Sequence, residues 1–290
     1  MLVEETLALL DLQPGETVVD ATIGDGGHAV RMLEKISPGG YLVGIDRDPE
    51  AVAQAYETLS RQKPNAKFVI IHGSFGHLEH IIQNAGCRGV DAILFDLGLS
   101  SRELLGQRGF SFQTDAPLDM RFDPEDDLTA ADIVNSYPRD KLADLIYQFG
   151  EERASRRIAE AIFTARRKAK ITSTLELADI VAQAKGGRHG RIHPATQTFQ
   201  ALRIAVNEEL SLLAAALPEA IRLLNSQGRV AVISYHSLED RIVKNIFRDT
   251  VTAGIGKLIN KKPIIPSRTE IITNPRARSA KLRVITKVEH

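Results

Sequence analysis

A single cysteine, Cys87, occurs in 290 residues, so no disulfide forms within the chain and no multi-cysteine zinc site is available. That scarcity suits a reducing, cytoplasmic setting. Long apolar runs are also missing. None approaches the ~18 residues that a membrane-spanning helix needs, so no membrane partner is expected. The opening segment, MLVEETLALLDL, is too acidic for a secretory signal. Repeats and low-complexity tracts are absent. No carboxylate or thiol cluster accompanies His189 and His193, so no metal site is expected there.

Nor is there an excess of charge: 37 Lys+Arg balance 37 Asp+Glu. The balance is not local, however. Residues 1–150 hold 12 basic and 24 acidic side chains, and residues 151–290 hold 25 and 13. The basic half either meets a polyanion or complements the acidic half. At 43% hydrophobic residues the chain can bury a full core in one or two domains.

What is present centres on residues 16–48. Thr17-Val18-Val19 is a short β-branched run suited to a buried strand, and it ends in Asp20. Residues 21–28, ATIGDGGH, are too rich in glycine for a strand or a helix interior. A helix-like segment follows from about Ala29 to Ile36, then a second strand, Tyr41 to Ile45, ending in Asp46. This β-loop-α-β pattern binds nucleoside-containing cofactors: glycines admit the ligand to the backbone, and an acidic residue ~20 positions on takes ribose hydroxyls. Gly24-x-Gly26-x-x-Ala29 also fits a dinucleotide fingerprint, which leaves an NAD-dependent oxidoreductase as an alternative. Two residues favour S-adenosylmethionine. Asp20 suits a methionine ammonium and would repel a pyrophosphate. His28 is bulky where a phosphate needs an open helix N-terminus.

Further along, strand-like runs at 67–71 and 90–95 alternate with helices at about 49–61 and 76–84. The alternation predicts a parallel sheet with ligands at the strands' carboxyl ends. The loops falling there are 20–28, 46–48, 72–75 and 96–101. An acidic, loop-like stretch (102–127) and a run of helices then intervene. Ser173-x-x-Glu176 makes a capping box, and 185–193, KGGRHGRIH, reads as a basic linker. Pro194 opens one long helix with Phe199, Leu202, Val206, Leu210, Leu213 and Leu217 on one face. Strands return at 229–234 and about 281–288. The expected division is a core of 1–103 and 205–290 with an inserted helical substrate-recognition domain, 104–204.

Four constellations carry candidate chemistry. At the end of the fourth strand, Asp96, Ser100 and Ser101 can accept an N–H bond from an acceptor amine and so localise its lone pair; the alternative is that they cap the next segment. His236, in Ser234-Tyr235-His236-Ser237, can hold a base or shuttle a proton, whereas Ser237 can serve simply as an N-cap. Phe110 and Phe112 among Arg108 and Arg121 suit stacking on a splayed base, or else pin the inserted domain to the sheet. Arg153, Arg156, Arg157, Arg166, Arg167, Lys168, Lys170, Arg188, His189, Arg191 and His193 offer phosphate contacts, or form an ordinary solvated face. A basic second half without catalysis would suit an RNA-binding assembly factor.

DATIGDGGH, GIDRDP, DLGLSS, RGFSFQTDAPLDMR, GEERASRRIA, HPATQTFQALRIAVNEEL, SYHSLEDR and NPRARSAKLR occur in this order. Together they closely resemble the bacterial small-subunit ribosomal RNA methyltransferase H family over nearly the whole chain. The resemblance implies an α/β, Rossmann-like class I S-adenosylmethionine-dependent methyltransferase: a seven-stranded sheet with an inserted α-helical domain. It also implies methylation of the exocyclic N4 of a cytidine in 16S rRNA near the ribosomal P site. The expected partner is 16S rRNA, naked or within the 30S subunit, and a homodimer is a compatible assembly. The family's cofactor positions fall on Gly26, Gly27, His28, Asp46, Phe75 and Asp96. A further one, usually glutamine, falls on Glu103, and Tyr235 stands where phenylalanine is usual. The family's lead-in His-x-Pro-Val-Leu is missing, so one wall of the site is expected to be incomplete or built differently. The Ser/Asn/Asp-Pro-Pro-aromatic loop of many amino-methyltransferases is absent too, and DLGLSS is expected to replace it.

Overall fold

A computed structural model describes residues 1–187 and 193–288. The chain forms two units, Met1–Gly98 with Leu210–His290, and Leu99–Glu209.

The first unit begins with α1 (Val3–Leu10), β1 (Thr17–Asp20), α2 (Gly27–Ile36), β2 (Tyr41–Asp46), α3 (Pro49–Arg61), β3 (Lys67–His72), α4 (Leu78–Asn84) and β4 (Val90–Asp96). Pro49 opens α3 at a position that needs no N–H, and the Asp48 carboxylate accepts from the Glu50 N–H. The second unit holds α5 (Ser101–Leu105), α6 (Ala130–Ser136), α7 (Arg139–Gly150), α8 (Ser155–Arg166), α9 (Thr174–Ala184) and α10 (Thr196–Asn207). The first unit then resumes with α11 (Glu209–Leu223), β5 (Leu224–Ser234), α12 (Ser237–Thr252), β6 (Gly256–Leu258), α13 (Arg268–Thr273) and β7 (Lys281–Lys287).

The seven strands form one sheet in the order β3-β2-β1-β4-β5-β7-β6. β1 to β5 are mutually parallel, β7 is antiparallel to β5, and β6 is antiparallel to β7. Strand side chains alternate between two apolar layers, as the pleat requires. Val19, Ile93, Phe95, Val230 and Val232 pack with Leu78 and Ile82 of α4, Leu213 and Leu217 of α11, and Phe247 of α12. Val18, Ala92, Leu94, Ala231 and Ile233 pack with Leu10 of α1, Met32 and Ile36 of α2, and Leu59 of α3. Asp240 pins α12 to β7 by accepting from Arg283 Nε at 2.7 Å and Lys281 Nζ at 3.1 Å. Burial raises the Asp240 carboxyl's pKa, and these cations bring it below its ordinary value.

The second unit has its own core of Leu118, Met120, Ile133, Val134, Leu142, Ile146, Ile158, Ile162, Leu177, Phe199 and Leu202. Two expectations change here. The long helix from Pro194 is two helices, because Glu208 adopts φ 52° between α10 and α11. A left-handed residue ends the first helix before the second starts. The Phe110–Phe112 pair is not an exposed stacking platform. Phe110 is buried and stacks on Phe122 with centroids 5.4 Å apart, while Phe112 packs edge-on against Phe199. Apolar burial inside this unit is the stronger sink for both rings. The three-residue strand β6 gave no signal that separates it from a loop.

Gly44 of β2 lets the glycine-rich loop approach the sheet. A Cβ there would lie 2.3 Å from Ile23 Cδ1. Gly44→Ala is therefore expected to destabilise the protein by about 1–3 kcal/mol, and Ile23→Val to recover part of that loss in the double variant. Denaturant midpoints of the four proteins check the coupling; additive losses would mean the two positions do not meet.

Candidate active site

Five parallel strands bring Asp20, Asp46, His72, Asp96 and Ser234 to one end of the sheet. The order reverses between β1 and β4, the place where open α/β sheets leave a crevice. Asp20 and Asp96 end these two strands, and the 20–28 loop covers them.

Several backbone bonds hold the loop. Ala21 N–H donates to Leu94 O and Ile23 N–H to Ile45 O, each at 2.9 Å. Gly24 N–H donates to Asp46 Oδ2 at 2.8 Å, and Asp48 N–H to Asp46 Oδ1 at 2.9 Å. These bonds orient the Asp46 carboxylate beside the loop. Gly26 caps α2 at φ 86°, where a side chain would be strained and its Cβ would lie 2.9 Å from Leu59 Cδ1.

Asp96 is the most elaborated of the carboxylates. Its N–H donates to Thr22 Oγ1 at 2.7 Å. The Tyr235 hydroxyl donates to Oδ1 at 2.6 Å, and His28 Nδ1 lies 3.4 Å from Oδ2. His28 Nε2 is 3.1 Å from Met1 O, so both ring nitrogens face oxygen acceptors. Burial raises the Asp96 pKa, but the neighbouring His28 imidazole, the N-terminal ammonium 4.0 Å from Oδ2 and the Tyr235 hydroxyl more than offset it, and the carboxyl sits below its ordinary value. Tyr235 itself is pushed far up by burial and by the Asp96 charge, so it stays a donor. Asp20 behaves oppositely. Burial pushes its carboxyl up to about 7; His28 works against this, and the Asp96 and Asp46 charges add to it. Asp20 is thus half protonated near neutrality, beside an Asp96 that is ionised.

The other expected positions follow the ends of β3, β4 and β5. Phe75 opens the turn after β3 and stands edge-on to Phe95, with centroids 5.6 Å apart. His236 caps α12: its Nδ1 accepts from Glu239 N–H at 3.4 Å, and Glu239 Oε2 accepts from the His236 and Tyr235 N–H groups at 3.2 and 2.7 Å. The N-cap is therefore His236, not Ser237. His236 Nε2 lies 3.1 Å from Glu239 Oε1 but is not aimed at it as a hydrogen bond. Ser100 and Glu103 belong to the second unit. Ser100 Oγ accepts from Glu103 N–H at 3.2 Å, and Glu103 Oε2 accepts from Ser100 N–H at 2.6 Å, a capping box for α5. The Ser101 side chain, like Arg188, His189 and Arg191, lies outside the described residues. Of the remaining basic residues, Arg166 is structural, donating to Val134 O and Tyr137 O at 2.7 Å each. Arg153, Arg156, Arg157, Arg167, Lys168 and Lys170 are exposed. His193 packs on Phe112 at 4.6 Å.

Sequence reasoning missed the roles of Tyr235 and Thr22. Their signal was positional: Thr22 stands two residues past the end of β1, and Tyr235 one past the end of β5, which flanks β4.

A glycine loop ringed by Asp20, Asp46 and Asp96 repels a pyrophosphate and complements a cationic nucleoside such as S-adenosylmethionine, so the residues fit that cofactor. Sheet order, the single reversed strand and this site define a class I, Rossmann-like methyltransferase. More narrowly, the chain belongs to the MraW methylase family, whose sequence profile matches residues 1–288. It is 49% identical over 304 residues to a protein of Dehalococcoides mccartyi named ribosomal RNA small subunit methyltransferase H, covering 99% of this chain and 86% of that one. A protein of the same name from Persephonella marina is 46% identical, covering 99% and 98%. Another from Thermomicrobium roseum is 44% identical, covering 100% and 93%.

The raised Asp20 pKa has a stability consequence. A carboxyl with a folded-state pKa above its unfolded value contributes stability below the unfolded pKa and loses it as pH rises through the folded one. Between pH ~4 and ~7 the loss is at most about 1.4 kcal/mol per unit. Asp20→Asn is expected to flatten that slope and to be the more stable protein at pH 8. Thermal unfolding from pH 4 to 8 checks this; parallel curves for the two proteins would refute it.

Proposed function

We propose that this methylase transfers a methyl group from S-adenosylmethionine to the exocyclic N4 of a cytidine in 16S rRNA, within the 30S subunit in the cytoplasm. The observation that carries the reading is the carboxylate cluster at the strand switch point. Bound there, S-adenosylmethionine supplies an electrophilic methyl group on a sulfonium. In this reading Asp20 pairs with the methionine ammonium, Asp46 accepts the ribose hydroxyls, Phe75 packs against adenine, and Gly26, Gly27 and His28 form the floor. Glu103 and Ser100 contribute through α5, and Ser101 stands as a further acceptor candidate beside them. The second unit serves substrate recognition, and Arg153, Arg156, Arg157, Arg167, Lys168 and Lys170 contact phosphates.

Asp96 polarises the acceptor. Its ionised carboxylate takes an N–H bond from the cytidine amine, localising a lone pair otherwise delocalised into the ring. As the new N–C bond forms and the S–C bond breaks, N4 sheds a proton, which passes from the Asp96 side to solvent. Tyr235 and Thr22 hold Asp96 in place, and His236 lies at the rim as a base-binding candidate.

Purified protein incubated with labelled S-adenosylmethionine and 30S subunits or 16S rRNA lacking the mark is expected to place label on a cytidine N4. Label elsewhere, or none, would sink the assignment. Asp96→Asn is expected to lower kcat by ~100-fold or more while RNA affinity stays within about threefold; equal loss of both would remove its catalytic role. Because the ammonium requires ionised Asp20, S-adenosylmethionine is expected to bind roughly tenfold tighter at pH 8 than at pH 6, a dependence that calorimetry on Asp20→Asn should find abolished. Sedimentation of the active protein tests the homodimer.

A further inference from the structure

Because β7 runs antiparallel to β5, with Lys281 opposite Ser234, its first residue lies at the end of the sheet that carries Asp20, Asp46 and Asp96. β6 climbs towards that end along β7, with Leu258 opposite Ile285. The connecting segment, 259–280, therefore lies along the rim of the candidate active site. It is clipped in place. Ile259 N–H donates to Val284 O at 3.0 Å, and Ile264 and Leu282 exchange backbone bonds at 3.0 and 2.9 Å. The Asn260 side chain accepts from Val284 N–H at 2.8 Å and donates to Leu282 O at 2.9 Å. Ser267 caps α13, accepting from Glu270 N–H at 3.1 Å, and Ala277 is buried.

This ordered segment displays Lys261, Lys262, Arg268 and Arg278, all exposed and none with an ionic partner among the described residues. Its only acidic residue, Glu270, is partly buried and accepts from the Leu2 N–H at 2.8 Å. The carboxylates end β1, β2 and β4, and the uncompensated cations stand on the segment that leads into β7 at the same end of the sheet. We propose that Lys261, Lys262, Arg268 and Arg278 form a phosphate-contact rim that holds the RNA backbone beside the methyl-transfer site. The proposal rests on the rRNA reading above. It assigns backbone contact to the core unit itself, in addition to the helical unit. Cations fixed on a tethered backbone lose little freedom when they meet phosphates, and their contribution is sequence-independent and salt-sensitive.

The test compares the full-length protein with two charge-matched variants. One carries Lys261→Gln, Lys262→Gln, Arg268→Gln and Arg278→Gln. The other carries Lys35→Gln, Lys63→Gln, Lys67→Gln and Arg88→Gln, which remove the same charge from exposed positions at the amino end of the sheet. Affinity for a 16S rRNA transcript is measured by fluorescence anisotropy across a salt series, with S-adenosylmethionine affinity measured separately. The rim variant is expected to lose about tenfold or more in RNA affinity and to flatten the log–log salt slope by about 2–3. The control variant should match wild type within about threefold, and cofactor affinity should be unchanged in both. Restoring charge with the Lys→Arg and Arg→Lys versions of the four rim positions should restore the slope. Equal effects of rim and control variants, or a wild-type slope in the rim variant, would overturn the proposal. So would competition by polyglutamate, but not RNA, that depends on the rim, because it would reassign the surface to an acidic protein. Methyl transfer by wild type is scored in the same preparations. A wild type that labels RNA while the rim variant binds normally sinks only the rim, whereas one that binds through the rim but labels no RNA sinks the enzymatic reading.

Discussion

A parallel sheet delivers the last residue of every strand to the same end, and here that rule collects like charges. Asp20, Asp46 and Asp96 terminate three adjacent strands, β1, β2 and β4. Repulsion among them opposes folding, so each carboxylate needs its own compensation. Asp46 has two backbone N–H groups, and Asp96 has the Tyr235 hydroxyl and the His28 ring. Asp20 has only a longer contact, from Thr22 N–H at 3.3 Å, and compensates by keeping its proton up to about pH 7. Ligand charge can complete what the protein leaves unfinished at that position.

The contrast between Asp20 and Asp96 is one of environment rather than residue type. Both are buried carboxyls at strand ends. Burial raises both pKa values, yet directed partners reverse the outcome at Asp96. Two carboxyls with pKa values pushed apart can hold different protonation states at one pH, which is how a site separates ligand pairing from acceptor activation. At Asp96 the His28 ring contributes most to that separation, the N-terminal ammonium next, and the Tyr235 hydroxyl adds to it. With phenylalanine at the position, Asp96 would lose a 2.6 Å bond and move towards the Asp20 condition.

The core was legible because its signals are local or periodic. β-branched and apolar runs, glycine punctuation and the acidic residues that end β1, β2 and β4 mark these first four strands in the sequence. Asp20, Gly26, His28, Asp46 and Asp96 duly assemble around one loop. Three kinds of information stayed hidden. Helix continuity through Glu208 looked secure because the apolar face continues on both sides, and only a backbone angle ends it. Phe110 and Phe112 carried the composition of a base-stacking surface, but the choice between solvent and core depends on partners such as Phe122 and Phe199, far off in sequence. Tyr235, Thr22 and Asp96 meet only through strand order, which no local pattern specifies. The caps were ambiguous for a related reason. Ser100, Glu103 and His236 carry side chains suited to catalysis, and the same groups satisfy helix N-termini.

Zero net charge conceals a segregation that follows from the chain's path. The acidic residues that end β1, β2 and β4 are brought to one end of the sheet by its parallel order. Much of the late excess of lysine and arginine comes after the fifth parallel strand, where the direction reverses. An antiparallel β7 returns the chain to the catalytic end before it enters the sheet, so its preceding segment borders the crevice instead of lining the opposite edge. One topological reversal therefore brings a basic segment to the end of the sheet where three carboxylates gather. A polyanionic substrate that must reach a site built for a cationic cofactor needs both: negative charge near the donor, and positive charge within reach to offset the repulsion that the pocket exerts on phosphates.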